Sequence, residues 1–201
     1  MKSLPPLHQI RSVSLTYKTL RSAGWLAMAS AFASIPVAYL AYSLEGRIDT
    51  IATSLQAAIQ LVGVVLFVAI TLYLKKLLNA YCNFHGTDRN IDWMIKANVT
   101  AAILTLLALY SGQLKETLGM AALAIIMVQG VIQIQFGYRL LRLQDNLGGM
   151  LKPFCYANMA TGLCVVSVVL FLVGVVISAI SDLMLGTIFF HIARKVKVYE
   201  Q

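Results

Sequence analysis

Residues 50–76 read TIATSLQAAIQLVGVVLFVAITLYLKK: twenty-five residues without a charge, closed by Lys75 and Lys76. A helix that crosses a bilayer needs roughly 20 consecutive apolar residues. Paired cations at one end of such a run, with Tyr73 just inside them, are the arrangement that a membrane interface favours. This segment therefore predicts a transmembrane helix with its C-terminal end at a basic surface.

Working outward, cutting the chain at its charges leaves uncharged runs at 22–44, 50–74, 97–114, 117–138, 153–181 and 183–193. The first five are long enough to span, and 97–114 is near the lower limit. The sixth needs its flanks: continued to about Tyr199, it reaches spanning length if Arg194 and Lys195 extend their heads to the interface. The expected fold is an all-α, polytopic transmembrane helical bundle of six spans. Five spans plus a re-entrant or interfacial helix is the alternative. On this cutting, the charges fall between the segments, with the last turn around Ser181-Asp182.

The cations give the orientation. Of the sixteen Lys and Arg, fourteen lie in the N-terminal stretch, the second and fourth connections and the tail; only Arg47 and Lys115 lie in the other connections. The positive-inside rule then places both termini in the cytoplasm and folds the chain into three hairpins. Arg11, Lys18, Arg21, Lys75, Lys76, Arg139, Arg142, Arg194 and Lys195 are expected at the inner interface beside anionic lipid. The net charge of +8 is explained in this way, and nucleic acid is not an expected partner. A bacterial plasma membrane is the expected location, given the small size and minimal loops.

Composition narrows function further. Hydrophobic residues make up 59% of the 201 and charged residues 12%, against about 25% charged in a soluble domain. The longest polar stretch, Leu77 to Ile95, is too short for a soluble domain, so ATP-driven work would need a partner subunit. The organisation expected is a cytoplasmic amphipathic segment over 1–21 and one membrane domain over 22–199. In the former, Ile10, Val13, Tyr17 and Leu20 share a helical face bordered by Arg11, Lys18 and Arg21. About twenty polar and basic residues precede a first apolar run longer than a signal-peptide core, so an uncleaved anchor is expected.

The hairpins carry signs of a repeat. Tyr73-Leu74-Lys75-Lys76, Tyr138-Arg139 with Arg142, and His191 with Arg194-Lys195 each end a second helix. Met94-Ile95-Lys96 and Met150-Leu151-Lys152 each open the next hairpin, with Asn98 and Asn158 following. Same-sense repeats of this kind would be related by an axis along the membrane normal. An aromatic belt with interfacial cations produces the same strings without duplication.

Three constellations could carry chemistry. Amides inside the apolar runs (Gln60, Asn98, Gln129, Gln133 and Asn158) must find partners away from lipid. They could form hydrogen bonds between helices or a neutral polar path. Cys82, His85 and Asp88 have metal-ligand spacing without a fourth ligand nearby, and also suit a solvated turn capped by Asp88 or Asn90. Small residues on the first helix, including Ala27, Ala31, Ser30 and Ser34, invite close helix packing, and Pro36 is expected to kink it. With no hydrolase, zincin or nucleotide-binding motif, no catalytic residue and no cofactor are assigned. The leading expectation is a non-enzymatic scaffold or accessory subunit, with a membrane protein or a second copy as partner. The alternative is a small transporter or channel that uses the amide path. A membrane enzyme built on Cys82, His85 and Asp88 is the third class.

Overall fold

The computed structural model describes residues 16–44, 49–143, 147–167 and 169–200. Among them the regular structure is entirely helical: α1 Tyr17–Leu44, α2 Thr50–Ala80, α3 Asp88–Tyr110, α4 Lys115–Leu140, α5 Leu151–Ser167 and α6 Phe171–Glu200, with one 3-10 turn at Leu147–Gly149. Five of the six are long and apolar enough to cross a membrane. At 17 residues, α5 is about 25 Å long, slightly short of a hydrocarbon core. Large side chains point outward along the bundle: Phe32, Leu61, Val65, Ile103, Met120 and Leu163 are all more than half exposed. A surface this apolar suits lipid and not water.

The helices form a closed ring in chain order, each packing on its two neighbours, with α6 returning to α1. The α1–α6 seam is antiparallel. Trp25 meets Phe190 edge-on at 5.5 Å, Gly24 and Met28 lie against Gly186, and Lys197 sits over the Tyr17 ring. The α4–α5 seam is tighter still. A Cβ on Gly162 would lie 2.5 Å from the Gly130 carbonyl oxygen, and one on Gly137 would meet Cys155 and Met159. Glycine here lets two backbones approach to van der Waals contact, as helix pairs in lipid require.

All three hairpins point the same way, so both ends of the described chain lie at one end of the ring. This end also carries Lys18, Arg21, Lys75, Lys76, Arg139, Arg142, Arg194 and Lys195, each exposed or half-exposed. Its interior is closely packed: Leu20, Leu77, Leu78, Ile91, Leu140, Leu151, Phe189 and Ile192 are buried in one cluster. The 3-10 turn closes it from below. Gly148 adopts φ 77° against the His191 ring, a left-handed backbone that glycine accepts without penalty.

Two sequence expectations change. The last turn is not at Ser181-Asp182. Helix α5 stops at Ser167, the chain turns by Val169 and Leu170, and α6 runs unbroken through Ser181 and Asp182 to Glu200. A charged residue therefore lies in the middle of an apolar helix, where the charge-based cutting put a loop. Also, α1 already includes Tyr17 to Arg21, with Leu20 buried in the core. The earlier part of the amphipathic stretch, with Ile10, Arg11 and Val13, lies outside the described residues. Helix α1 continues through Pro36.

Candidate functional site

Just beyond the packed end, the ring opens around a cavity of about 520 Å³ to which all six helices contribute. Its floor is the top of the core: Leu74, Ile91, Met94, Phe136, Phe154 and Leu185. Above them converge Ser30 and Ser34 from α1, Asn98 from α3, Gln133 from α4, Asn158 from α5, and Ser178, Ser181 and Asp182 from α6. The wall from α2 is apolar, with Val62, Leu66 and Phe67, and Gly63 opens on space.

Helical spacing explains the convergence. Ser30 and Ser34 are one turn apart on α1, as are Ser178 and Asp182 on α6, so each pair shares a face. The polar groups then link across the helices. Gln133 Nε2 donates to Asn158 Oδ1 at 3.2 Å. Asn158 Nδ2 donates to Ser181 Oγ at 2.9 Å and to the Phe154 carbonyl at 3.0 Å. One residue on, the Ser30 hydroxyl donates to Asp182 Oδ2 at 2.8 Å. Ser34 donates to the Ser30 carbonyl at 2.7 Å.

Two polar groups stand out in this network. Asn98 Oδ1 is buried without a hydrogen-bond partner. Asp182 has the Ser30 hydroxyl and no ion pair, and no Lys, Arg or His lines the cavity among the described residues. A carboxylate away from water needs compensation by a cation, a proton or strong donors. The site therefore holds a carboxylate without a counter-charge among the described residues.

The amides proposed from sequence divide. Asn98, Gln133 and Asn158 reach the cavity together; Gln60 and Gln129 do not line it, although both are half-buried. Sequence reasoning missed Ser30, Ser34, Ser178, Ser181 and Asp182 as members of the site. The signal available for Asp182 was length: an uncharged run of 29 residues before it and 11 after it divide more evenly into two spans if the turn comes earlier.

Of the Cys82, His85 and Asp88 set, His85 and Asp88 join with Asn79 in a brace between α2 and α3. His85 Nδ1 lies 3.1 Å from Asp88 Oδ2, and Asn79 Nδ2 donates to Asp88 Oδ1 at 2.9 Å. Asp88 thus ties the turn back to α2. The residue before α3 is Thr87, which makes no side-chain cap. Lys75 and Asp92 pair at 2.6 Å beside this brace. Among the described residues no three His, Cys, Asp or Glu side chains come together to hold a metal ion. Cys155 and Cys164 are buried and Cys82 is half-buried. His191 is exposed and lies against Gly148. No family model, curated protein or solved structure matches this chain.

Proposed function

We propose that this is a six-span protein of the bacterial plasma membrane, with both termini cytoplasmic, that carries a small solute through the cavity enclosed by its six helices. The observation that carries the reading is the convergence of Asn98, Gln133, Asn158 and Asp182 on one space. Hydrogen bonds between helices would serve a scaffold equally, but a scaffold has no use for the open space that these groups border. Each such group costs free energy unless it finds a partner. A pocket of a few hundred Å³, mostly apolar with a few convergent polar groups, is the usual form of a small-molecule site.

The orientation rests on the basic end of the ring facing the cytoplasm. In that orientation the packed core is the closed inner gate, and the short connections at 111–114 and 169–170 face outward. Transport would require the core around Leu77, Ile91, Phe136 and Phe189 to part. Anionic lipid of the inner leaflet would meet Lys76, Arg142, Arg194 and Lys195.

A scaffold or accessory role remains the rival reading, and accessibility separates the two. Single cysteines at Ser34, Gly63 and Asn98, in a background without Cys82, Cys155 and Cys164, are treated with a membrane-impermeant maleimide. Controls at Val65 and Val128, which face outward, receive the same reagent. A carrier labels at the cavity positions and not at the controls. If both sets stay silent in intact cells and in inside-out vesicles, the carrier reading is wrong.

A further inference from the structure

We infer that the solute is a small organic monocation that donates hydrogen bonds, namely a primary or secondary ammonium attached to an apolar body. This rests on the carrier reading of the same cavity and adds the charge and shape of what it holds. Three observations point to this class.

The first is charge. Asp182 is an acidic residue in the cavity wall, and no cationic side chain shares that wall among the described residues. One carboxylate without an internal partner balances one positive charge. A ligand with a second charge, or an anion, would leave the site uncompensated, which a low-dielectric interior penalises.

The second is hydrogen-bond polarity. Gln133 Nε2 donates to Asn158, and Asn158 Nδ2 donates to the Phe154 carbonyl and to Ser181. The Ser30 and Ser34 hydroxyls donate to Asp182 and to a backbone carbonyl. The Asp182 carboxylate has one side-chain donor, Ser30, and can accept more. A ligand that brings its own N–H groups adds charge-assisted hydrogen bonds to that carboxylate. A quaternary ammonium meets the charge but brings no N–H to it.

The third is the remaining wall. Phe67, Phe136, Phe154, Met94, Leu66 and Ile70 surround the polar cluster. Aromatic faces and a thioether accept an apolar ligand body and add attraction for a nearby cation. A fully hydrated inorganic ion would gain nothing from these surfaces, and the cavity volume exceeds what a single bare ion fills.

Phenethylamine, phenethyl alcohol and phenylacetate share one apolar body and differ in charge. Binding of each to the purified full-length protein is measured by calorimetry. The amine, protonated at neutral pH, should bind; the alcohol should bind roughly tenfold or more weaker, the weight of one charge-assisted hydrogen bond; phenylacetate should not bind. D182N should reduce the amine to the level of the alcohol, while D182E retains preference for the amine. Should D182N fail to fold, the unmodified ring decides: the amine must slow maleimide labelling of a cysteine at Ser34, and phenylacetate must not. Equal binding of amine and alcohol, or an amine that neither binds nor protects, overturns the inference. If Ser34→Cys is labelled but unprotected, the solute cavity stands and its cation preference falls. If that cysteine is never labelled, both fall.

Discussion

The Ser30 hydroxyl on α1 donates to Asp182 Oδ2 on α6 across a 2.8 Å gap that joins residues 152 positions apart. This bond crosses the seam where the last helix returns to the first. It closes the ring and presents the only carboxylate of the cavity wall among the described residues. Substituting Ser30 by Ala should weaken the seam and leave Asp182 with less compensation. A cycle of S30A, D182N and the double variant, read by detergent unfolding, should give a coupling of about 0.5 to 2 kcal/mol. Additive effects would mean that the two groups do not meet.

The α4–α5 seam makes a sharper structural prediction. In G162L the new side chain would collide with the Gly130 carbonyl and Ile134, backbone and side chain that cannot both retreat. Overpacking of this kind costs roughly 1–3 kcal/mol or more. By contrast, a Cβ on Gly63 or Gly119 would meet nothing within 4 Å. G63A and G119A should be neutral, or more stable by up to about 1 kcal/mol through helix propensity. Thermal unfolding of the three variants checks the contrast.

The amides should separate by position. N158L removes the acceptor of Gln133 and the donor to Ser181 together. The loss should be about 1–3 kcal/mol of stability, with a change in the cavity. Q129L touches no described hydrogen bond and should stay within about 0.5 kcal/mol of the unmodified protein. Equal losses would argue that the cavity network is not the one described.

The brace at the basic end should be modest in energy. D88A removes the partner of both Asn79 and His85 and should cost about 1 kcal/mol. The half-exposed Lys75–Asp92 pair should contribute less than about 1 kcal/mol, decreasing as salt is added. Unfolding at low and high ionic strength distinguishes these two contributions.

Much of this arrangement was legible in the sequence, for identifiable reasons. Runs such as 50–74 declare a helix by length alone, and Lys75-Lys76 mark which end meets a basic surface. The hairpin order follows from those two facts. The site was harder to see. The sequence reads Asp182 as a boundary because a charge within an apolar run is costly. That cost is accepted only when groups distant in sequence compensate it, and Ser30 cannot be paired with Asp182 from spacing. Gln129 and Gln133 share a face of α4 by periodicity, yet only Gln133 reaches the cavity.

The closed ring, with Asp182 held inside it at mid-helix, is tested most directly by cross-linking. Cysteines at Ser30 and Asp182, in an otherwise cysteine-free protein, are treated in native membranes with a short bifunctional thiol reagent. A second protein pairs Ser30 with Leu172, which faces outward near the start of α6. The first pair should link within one chain and shift on a denaturing gel, while the second should not. A link through Leu172 with none through Asp182 would return Asp182 to a loop and contradict the cavity built around it.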